Sequence, residues 1–302
     1  MEVTRVNRIT IPAHLLLRSE GTIGRVHSVF RRGLNVVTGG RIIHVQRERE
    51  LKSPFSLALN EASPVGLKES VREGDEVFKL NGRLRIGLSE WVAYAPEEFY
   101  DPCVRPARGI SESKLGQMLR LLIEEMEGFR KRIPSVNFFA ETEAIVMSQT
   151  EELLASLARR DLSFERLREF TRRLIGLGPG LTPLGDDFII GIMGTLARFR
   201  THSKKVGDFF RNFREAVTGH LNETSAISCE FLRYATRSCF SEKMNDLLYL
   251  MSHRKLEEEK LRRTIWNAFD FGSTSGMGNL LGIYDGLRIF SVLCQNGEEG
   301  NG

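Results

Sequence analysis

Asp186 and Asp187 are adjacent carboxylates at the end of a glycine-rich run, and chemistry is most readily placed there. The run reads Gly176-Leu-Gly178-Pro-Gly180-Leu-Thr182-Pro183-Leu-Gly185-Asp186-Asp187 and continues into apolar Phe188-Ile-Ile. Four glycines within ten residues let the backbone take positive φ or approach another group closely. Thr182 followed by Pro183 has the form of an N-cap and a first helical residue, which puts both acids in or just after a first helical turn. Phe188, Ile189, Ile190, Ile192, Met193 and Leu196 then make a helix that is apolar nearly all round, hence buried. Burying a charge is costly unless it is paired, and a helix N-terminus returns only about 0.3–1 kcal/mol per acid. The acids therefore face a solvent-filled cleft or have strong partners. In the functional reading, backbone N–H groups around Gly178, Gly180 and Gly185 hold an anion. Asp186 or Asp187 then accepts a hydrogen bond from a substrate amide or acts as a base. The bland alternative is an elaborate helix cap with exposed aspartates.

Two more polar clusters could join this site. Thr224, Ser225 and Ser228 follow Asn222-Glu223 and could line the same pocket or simply cap a helix. His220 just before them reads as structural. Downstream, Gly272-Ser273-Thr274-Ser275-Gly276 opens the last helix, and Gly278, Gly282 and Gly286 recur every four residues, on one face. The spacing of Gly185 to Gly191 echoes that of Gly276 to Gly282. Two glycine-faced helices are thus expected to pack together and present their N-termini to one pocket, with Thr182, Thr274, Ser275 and Gly276 among its substrate-binding groups. Other patterns are absent. Leu181 occupies the third glycine position of a dinucleotide fingerprint, and no Walker A ending, HExxH or nucleophile elbow occurs. No cofactor is called for. The acid pair does no more than leave Mg²⁺ as an option, because a metal site normally recruits further oxygen ligands that two adjacent aspartates do not supply.

The elements that must position these residues fall into two textures, an α+β arrangement. Residues 1–105 carry short β-like runs and form a β-rich domain, a small barrel or sandwich. Residues 24–30 and 34–37 are strand-like, and a hairpin crosses Gly39-Gly40 into residues 41–45. A second hairpin turns at Asn81-Gly82 between residues 76–80 and 83–86, and residues 87–95 continue as a strand. Residues 64–71 could form a short helix. Residues 96–109, with three prolines, read as a connection. From Ser111 the period becomes helical, with Leu115, Met118, Leu119, Leu122, Ile123 and Met126 on one stripe. Further helices are expected at 139–159, 163–175, 185–200, 204–219, 223–238, 241–252, 255–270 and 277–293. Residues 106–302 make a larger, nearly all-α domain that carries the glycine-rich segments, and 296–302 are a polar end.

The chain has 302 residues, 41% hydrophobic, with a net charge of +4, a balance that suits small anionic substrates. Its basic pairs lie among acids and lack an RNA motif or zinc-finger spacing, so nucleic acid is not an expected partner. No apolar run approaches the roughly 20 residues of a membrane span, and no signal peptide opens the chain. Cys103, Cys229, Cys239 and Cys294 form no CxxC pair. A cytoplasmic protein with reduced thiols is expected, Cys229 and Cys239 serving as packing residues.

At the three polar segments the chain resembles the AllH-like family, whose named member is a subunit of oxamate carbamoyltransferase in allantoin degradation. The resemblance rests on residues 176–187, supported by Thr224-Ser-Ala-Ile-Ser228 and Gly272-Ser-Thr-Ser-Gly276, and the order of a β-rich part before a helical part agrees. The family's last motif commonly reads Gly-His-Thr-Ser-Gly with Asp after one further residue; here Ser273 and Gly278 stand at those two places. The resemblance implies a transferase subunit acting on a small anionic amide or carboxylate of the oxamate and carbamoyl phosphate type, in purine nitrogen metabolism. It also implies a hetero-complex with other carbamoyltransferase subunits, and homo-oligomers are a further option. Arg172 or Arg173 could then neutralise phosphate. The alternatives from other classes are a non-catalytic scaffold or regulatory subunit, and a small-anion or metal-binding protein of another reaction.

Overall fold

A computed structural model describes residues 5–30, 33–47, 49–60, 71–88, 91–132, 140–253, 257–269 and 275–295. The chain divides into two compact units, Met1–Cys103 and Val104–Gly302.

The first unit is built on one nine-stranded sheet. Its strands are β1 (Val6–Thr10), β2 (Gly21–Val29), β3 (Gly33–Thr38), β4 (Arg41–Gln46), β5 (Ser56–Leu59), β6 (Glu76–Leu80), β7 (Arg83–Ile86), β8 (Val92–Ala93) and β9 (Glu98–Tyr100). They lie in the order β8-β7-β6-β2-β3-β4-β5-β1-β9. A bridge between Arg5 and Ala93 brings the β8 end back to the chain entering β1, so the sheet is curled. This curled sheet is the barrel-like form of the expected β-rich part.

Both expected hairpins form. Gly39 and Gly40 have φ of 54° and 73°, and Asn81 and Gly82 have 49° and 68°. Two successive positive φ values give a turn whose twist matches that of the flanking strands, fixing Thr38 opposite Arg41 and Leu80 opposite Arg83. Alternating burial along β7 turns Leu84 and Ile86 into a core shared with Val6, Ile9, Val36, Ile43 and Leu57.

Three details differ from expectation. The strand expected over 87–95 shrinks to β8, because Gly87 at φ 59° turns the chain first. The connecting stretch 96–109 contains β9, an edge strand parallel to β1. A short helix, α1 (Ile11–Leu16), is capped by Thr10, whose hydroxyl accepts from Ala13 N–H. The helix expected over 64–71 and the polar end 296–302 lie largely or wholly outside the described residues.

The second unit is helical: α2 (Glu112–Arg132), α3 (Ala140–Arg159), α4 (Phe164–Leu174), α5 (Leu184–Phe199), α6 (Lys204–Thr218), α7 (Ala226–Ala235), α8 (Glu242–Ser252), α9 (Glu258–Phe269) and α10 (Ser275–Gln295). Serine hydroxyls at 163, 203, 225 and 241 cap α4, α6, α7 and α8 by accepting the N–H three residues on. The helix expected from 223 starts later, since a short 3-10 turn (Leu221–Glu223) precedes the Ser225 cap.

Helix α5 is the centre of this unit. Phe188, Ile189, Ile192, Met193 and Leu196 are fully buried, each contributing roughly 1.5–3 kcal/mol of transfer free energy. Its closest partner is α10. A Cβ at Gly282 would lie 2.0 Å from Phe188 O, and one at Gly191 would lie 2.2 Å from Asn279 O. Only glycine at both places lets the two backbones approach this closely. The last glycine of α5, Gly194, faces Met244 and Leu248 of α8 instead.

Among the described residues no helix is long and apolar enough to cross a membrane. Cys229 and Cys294 are free, whereas Cys103 and Cys239 are each in disulfide form, which corrects the expectation of four reduced thiols.

Candidate functional site

The loop between α4 and α5 is closed from inside. Gly176, Gly178 and Gly180 all have positive φ (76°, 112° and 101°). The chain leaves α4 at Gly176, where a Cβ would lie 2.6 Å from Glu223 O. It returns when Gly185 N–H donates to Leu177 O at 2.9 Å. Pro179, Gly180 and Leu181 are exposed at its tip.

Asp186 holds this loop. Its Oδ1 accepts Gly176 N–H at 2.8 Å, ten residues back. Its Oδ2 accepts the hydroxyls of Thr224 and Ser228, the latter at 2.6 Å. The neighbouring Ser225 hydroxyl donates to Leu181 O and accepts Ser228 N–H at 3.1 Å. The Thr224–Ser225–Ser228 cluster is thus brought to the glycine loop, as part of one network. Burial pushes the Asp186 carboxyl up, while the Ser228, Thr224 and Gly176 bonds oppose that rise.

Asp187 has a different environment. It is 3% exposed and sits where α5 meets the first turn of α10. Burial, with the nearby Asp186 charge adding to it, pushes the pKa of its carboxyl well above the ordinary carboxylate value, while a hydrogen bond from Ser275 opposes that rise. Its Oδ2 is buried and has no hydrogen-bond partner among the described residues. Ser275 Oγ also lies 2.7 Å from Thr182 Oγ1. A Cβ on Gly278 would stand 2.7 Å from Asp187 Cβ, so the helices meet over this carboxyl. Close by on α10, Asn279 Nδ2 donates to Ser275 O at 2.9 Å, and its Oδ1 is a further buried acceptor without a partner among the described residues.

Several expectations change here. Thr182 is not the helix cap: Pro183 holds that position without a side-chain bond, and Thr182 pairs with Ser275 across the junction. The aspartates are buried rather than exposed caps. Gly185 and Gly276 are packing positions, since a Cβ would lie 2.0 Å from Leu174 O and 2.5 Å from Ala268 O respectively. The N–H groups of Gly185, Asp186 and Asp187 already donate to Leu177 O and Pro183 O. Gly178 and Gly180 remain at the partly exposed tip. Thr274 and Ser273 lie outside the described residues. Arg172 and Arg173 both bond Glu169 along α4, not the loop. Among the described residues, no group of three His, Cys, Asp or Glu side chains converges as a metal site.

One pair was not anticipated. His220, read as structural, is 6% exposed, with Nδ1 2.7 Å from Glu223 Oε1 and with Nε2 buried and without a partner among the described residues. The three-residue spacing of His220 and Glu223 was its only signal in the sequence.

The described residues thus form a curled sheet unit and a helical unit, an α+β arrangement, and the helical unit carries a buried acid pair at a glycine-packed helix junction. The segment 174–287 matches the family model described as oxamate carbamoyltransferase subunit AllH, and 7–96 matches the AllH family N-terminal domain. The chain belongs to the AllH family. No solved structure matches it.

Proposed function

We propose that this chain is a subunit of a carbamoyltransferase of the oxamate type, working with other subunits, and that Asp187 is its reacting-site carboxyl. The family name supports the first part. The observation that supports the second is the buried Asp187 Oδ2, which has no hydrogen-bond partner among the described residues. Buried polar atoms are nearly always hydrogen-bonded, and an exception calls for a missing partner. A carboxyl kept neutral has one O–H donor and one acceptor edge. A carbamoyl group offers the complementary pair, a carbonyl oxygen and an N–H.

In the reaction, the bond between the carbamoyl carbon and the oxamate nitrogen breaks while a bond from that carbon to a phosphate oxygen forms, or the reverse. The nitrogen gains the proton that the phosphate loses. Asp187, pushed by burial toward its neutral form, fits this relay as the group that gives and takes a proton. Asp186 stays fully bonded and positions the loop. Two neighbouring acids whose surroundings set them apart are a recurrent basis for dividing such roles. Thr182 and Ser275 supply hydroxyls beside Asp187, and the Gly178 and Gly180 amides supply donors for anion oxygens. Purine nitrogen metabolism is the setting this chemistry suits.

The test is Asp187→Asn in the complex reconstituted with its partner subunits. Carbamoyl transfer should be lost while the melting temperature of the variant chain stays near that of the parent. Carbamoyl phosphate or oxamate should raise the parent's melting temperature but not the variant's. Full transfer activity in the variant would refute the assignment. It would favour a scaffold subunit, a reading supported by the near-complete burial of Asp187.

A further inference from the structure

Helix α4 enters the glycine loop from a strongly basic stretch. Residues 159–173 contain six arginines against Asp161, Glu165 and Glu169. Between α3 and α4 lies an open cleft of about 410 Å³, within the range of small-molecule sites, roughly 300–1,000 Å³. Arg166 and Arg173 are seven residues apart, so they share one face of α4 with Phe170 between them. Both line the cleft, and Arg159 reaches it from the end of α3.

These guanidiniums are gathered, not scattered. The buried Ser156 hydroxyl lies 3.3 Å from Arg166 Nη1 and 3.4 Å from Arg159 Nη2. Asp161 bridges the same two arginines, at 3.2 Å to Arg159 and 3.3 Å to Arg166. Arg173 is steadied by Glu169 and by Gln149 Oε1 at 3.1 Å. A guanidinium has five N–H donors in a planar fork, and these bonds engage at most two nitrogens of each. Two acids line the cleft as well. Glu169 is already matched by Arg172 and Arg173, which hold its carboxyl down to about 2, and Glu152 is exposed. The floor beside the arginines is apolar, formed by Leu153, Leu162 and Phe170.

We infer that this cleft binds a small organic anion. Its phosphate or carboxylate head is held by Arg159 and Arg166, its body rests on Leu162 and Phe170, and Arg173 adds charge at the far end. Planar forks suit both heads, since each offers paired oxygens. The inference does not depend on the transfer reaction or on Asp187.

Calorimetric titration of the full chain tests it, with phenyl phosphate, phenylacetate and inorganic phosphate as probes. An aryl anion should bind more tightly than inorganic phosphate. Arg166→Ala should weaken it by about tenfold or more, equivalent to about 1.4 kcal/mol, and Arg173→Ala by less. The tighter of the two aryl anions names the head group. Both arginines are about half exposed, so the ligand-free variants should melt with the parent. Asp187→Asn should leave this binding unchanged, which separates it from the proposed transfer site. Absence of binding by the parent at millimolar probe would overturn the inference, as would equal binding by Arg166→Ala.

Discussion

The α5–α10 junction and the α3–α4 cleft hold charge in opposite ways. At the junction, acids are placed where water is excluded, so each carboxylate oxygen needs its own donor. Asp186 has three donors from two segments, while Asp187 keeps an oxygen with none among the described residues. In the cleft, several arginines and acids face solvent, and their pairs are worth little individually. The lesson is that charge number says little about energetic weight. Two carboxyls at the junction decide the local structure, while a larger set of charges at the cleft remains available to a ligand.

The comparison breaks most completely if the junction is forced apart. Leu in place of Gly282 would drive side-chain atoms into Phe188 O and the Gly191 backbone. Backbone cannot step aside as a side-chain tip can, so a cost of about 3 kcal/mol or more is expected. Urea melts of Gly282→Leu should show a helical unit that is severely destabilised or fails to fold. A midpoint within error of the parent would mean that the helices are not held this close.

The next largest effect separates the two aspartates. Asp186→Ala leaves Gly176 N–H and the Thr224 and Ser228 hydroxyls without their acceptor. At roughly 1–3 kcal/mol per buried unsatisfied group, less the desolvation recovered, the loss should be about 3–5 kcal/mol. Asp187→Asn replaces an acid that burial drives toward its neutral form with a neutral amide of the same shape, so chemical denaturation should detect a change of about 1 kcal/mol or less. Equal losses in the two variants would erase the distinction drawn between them.

Much of this arrangement was legible in the sequence, and what was not has a common cause. The turns at Gly39-Gly40 and Asn81-Gly82 are set by local backbone preference, and the helices by local periodicity. The echo between Gly191 and Gly282 disclosed the packed pair because close approach demands glycine on both sides. The separation of Asp186 from Asp187 was hidden. Successive residues point about 100° apart on a helix, and the partners lie far along the chain. Thr224 and Ser228 are 38 and 42 residues from Asp186, and Ser275 is 93 from Thr182. Strand β9 was hidden for the same reason, since its partner β1 lies some ninety residues earlier. Arg172 or Arg173 was expected to neutralise phosphate, yet the position of Arg173 on α4 turns it to the cleft.

Asp285 on α10 sharpens the comparison, because it combines burial with a charged partner. It is fully buried, and its Oδ1 accepts from Arg288 Nη1 at 3.0 Å, which also pairs with Glu151 at 2.8 Å. Burial outweighs the arginine and raises the carboxyl to about 6. Below about pH 4 this group is protonated in both folded and unfolded chains. Between about 4 and 6 the unfolded chain ionises first and binds fewer protons, so stability falls as pH rises; above about 6 the loss is complete. A shift of about two pH units corresponds to at most about 3 kcal/mol. Urea melts across this range should show a decline in the parent relative to Asp285→Asn, which subtracts the contribution of the other acids. A constant difference between the two proteins would mean that Arg288 holds Asp285 ionised, and that a single well-placed guanidinium suffices where Asp187 has none.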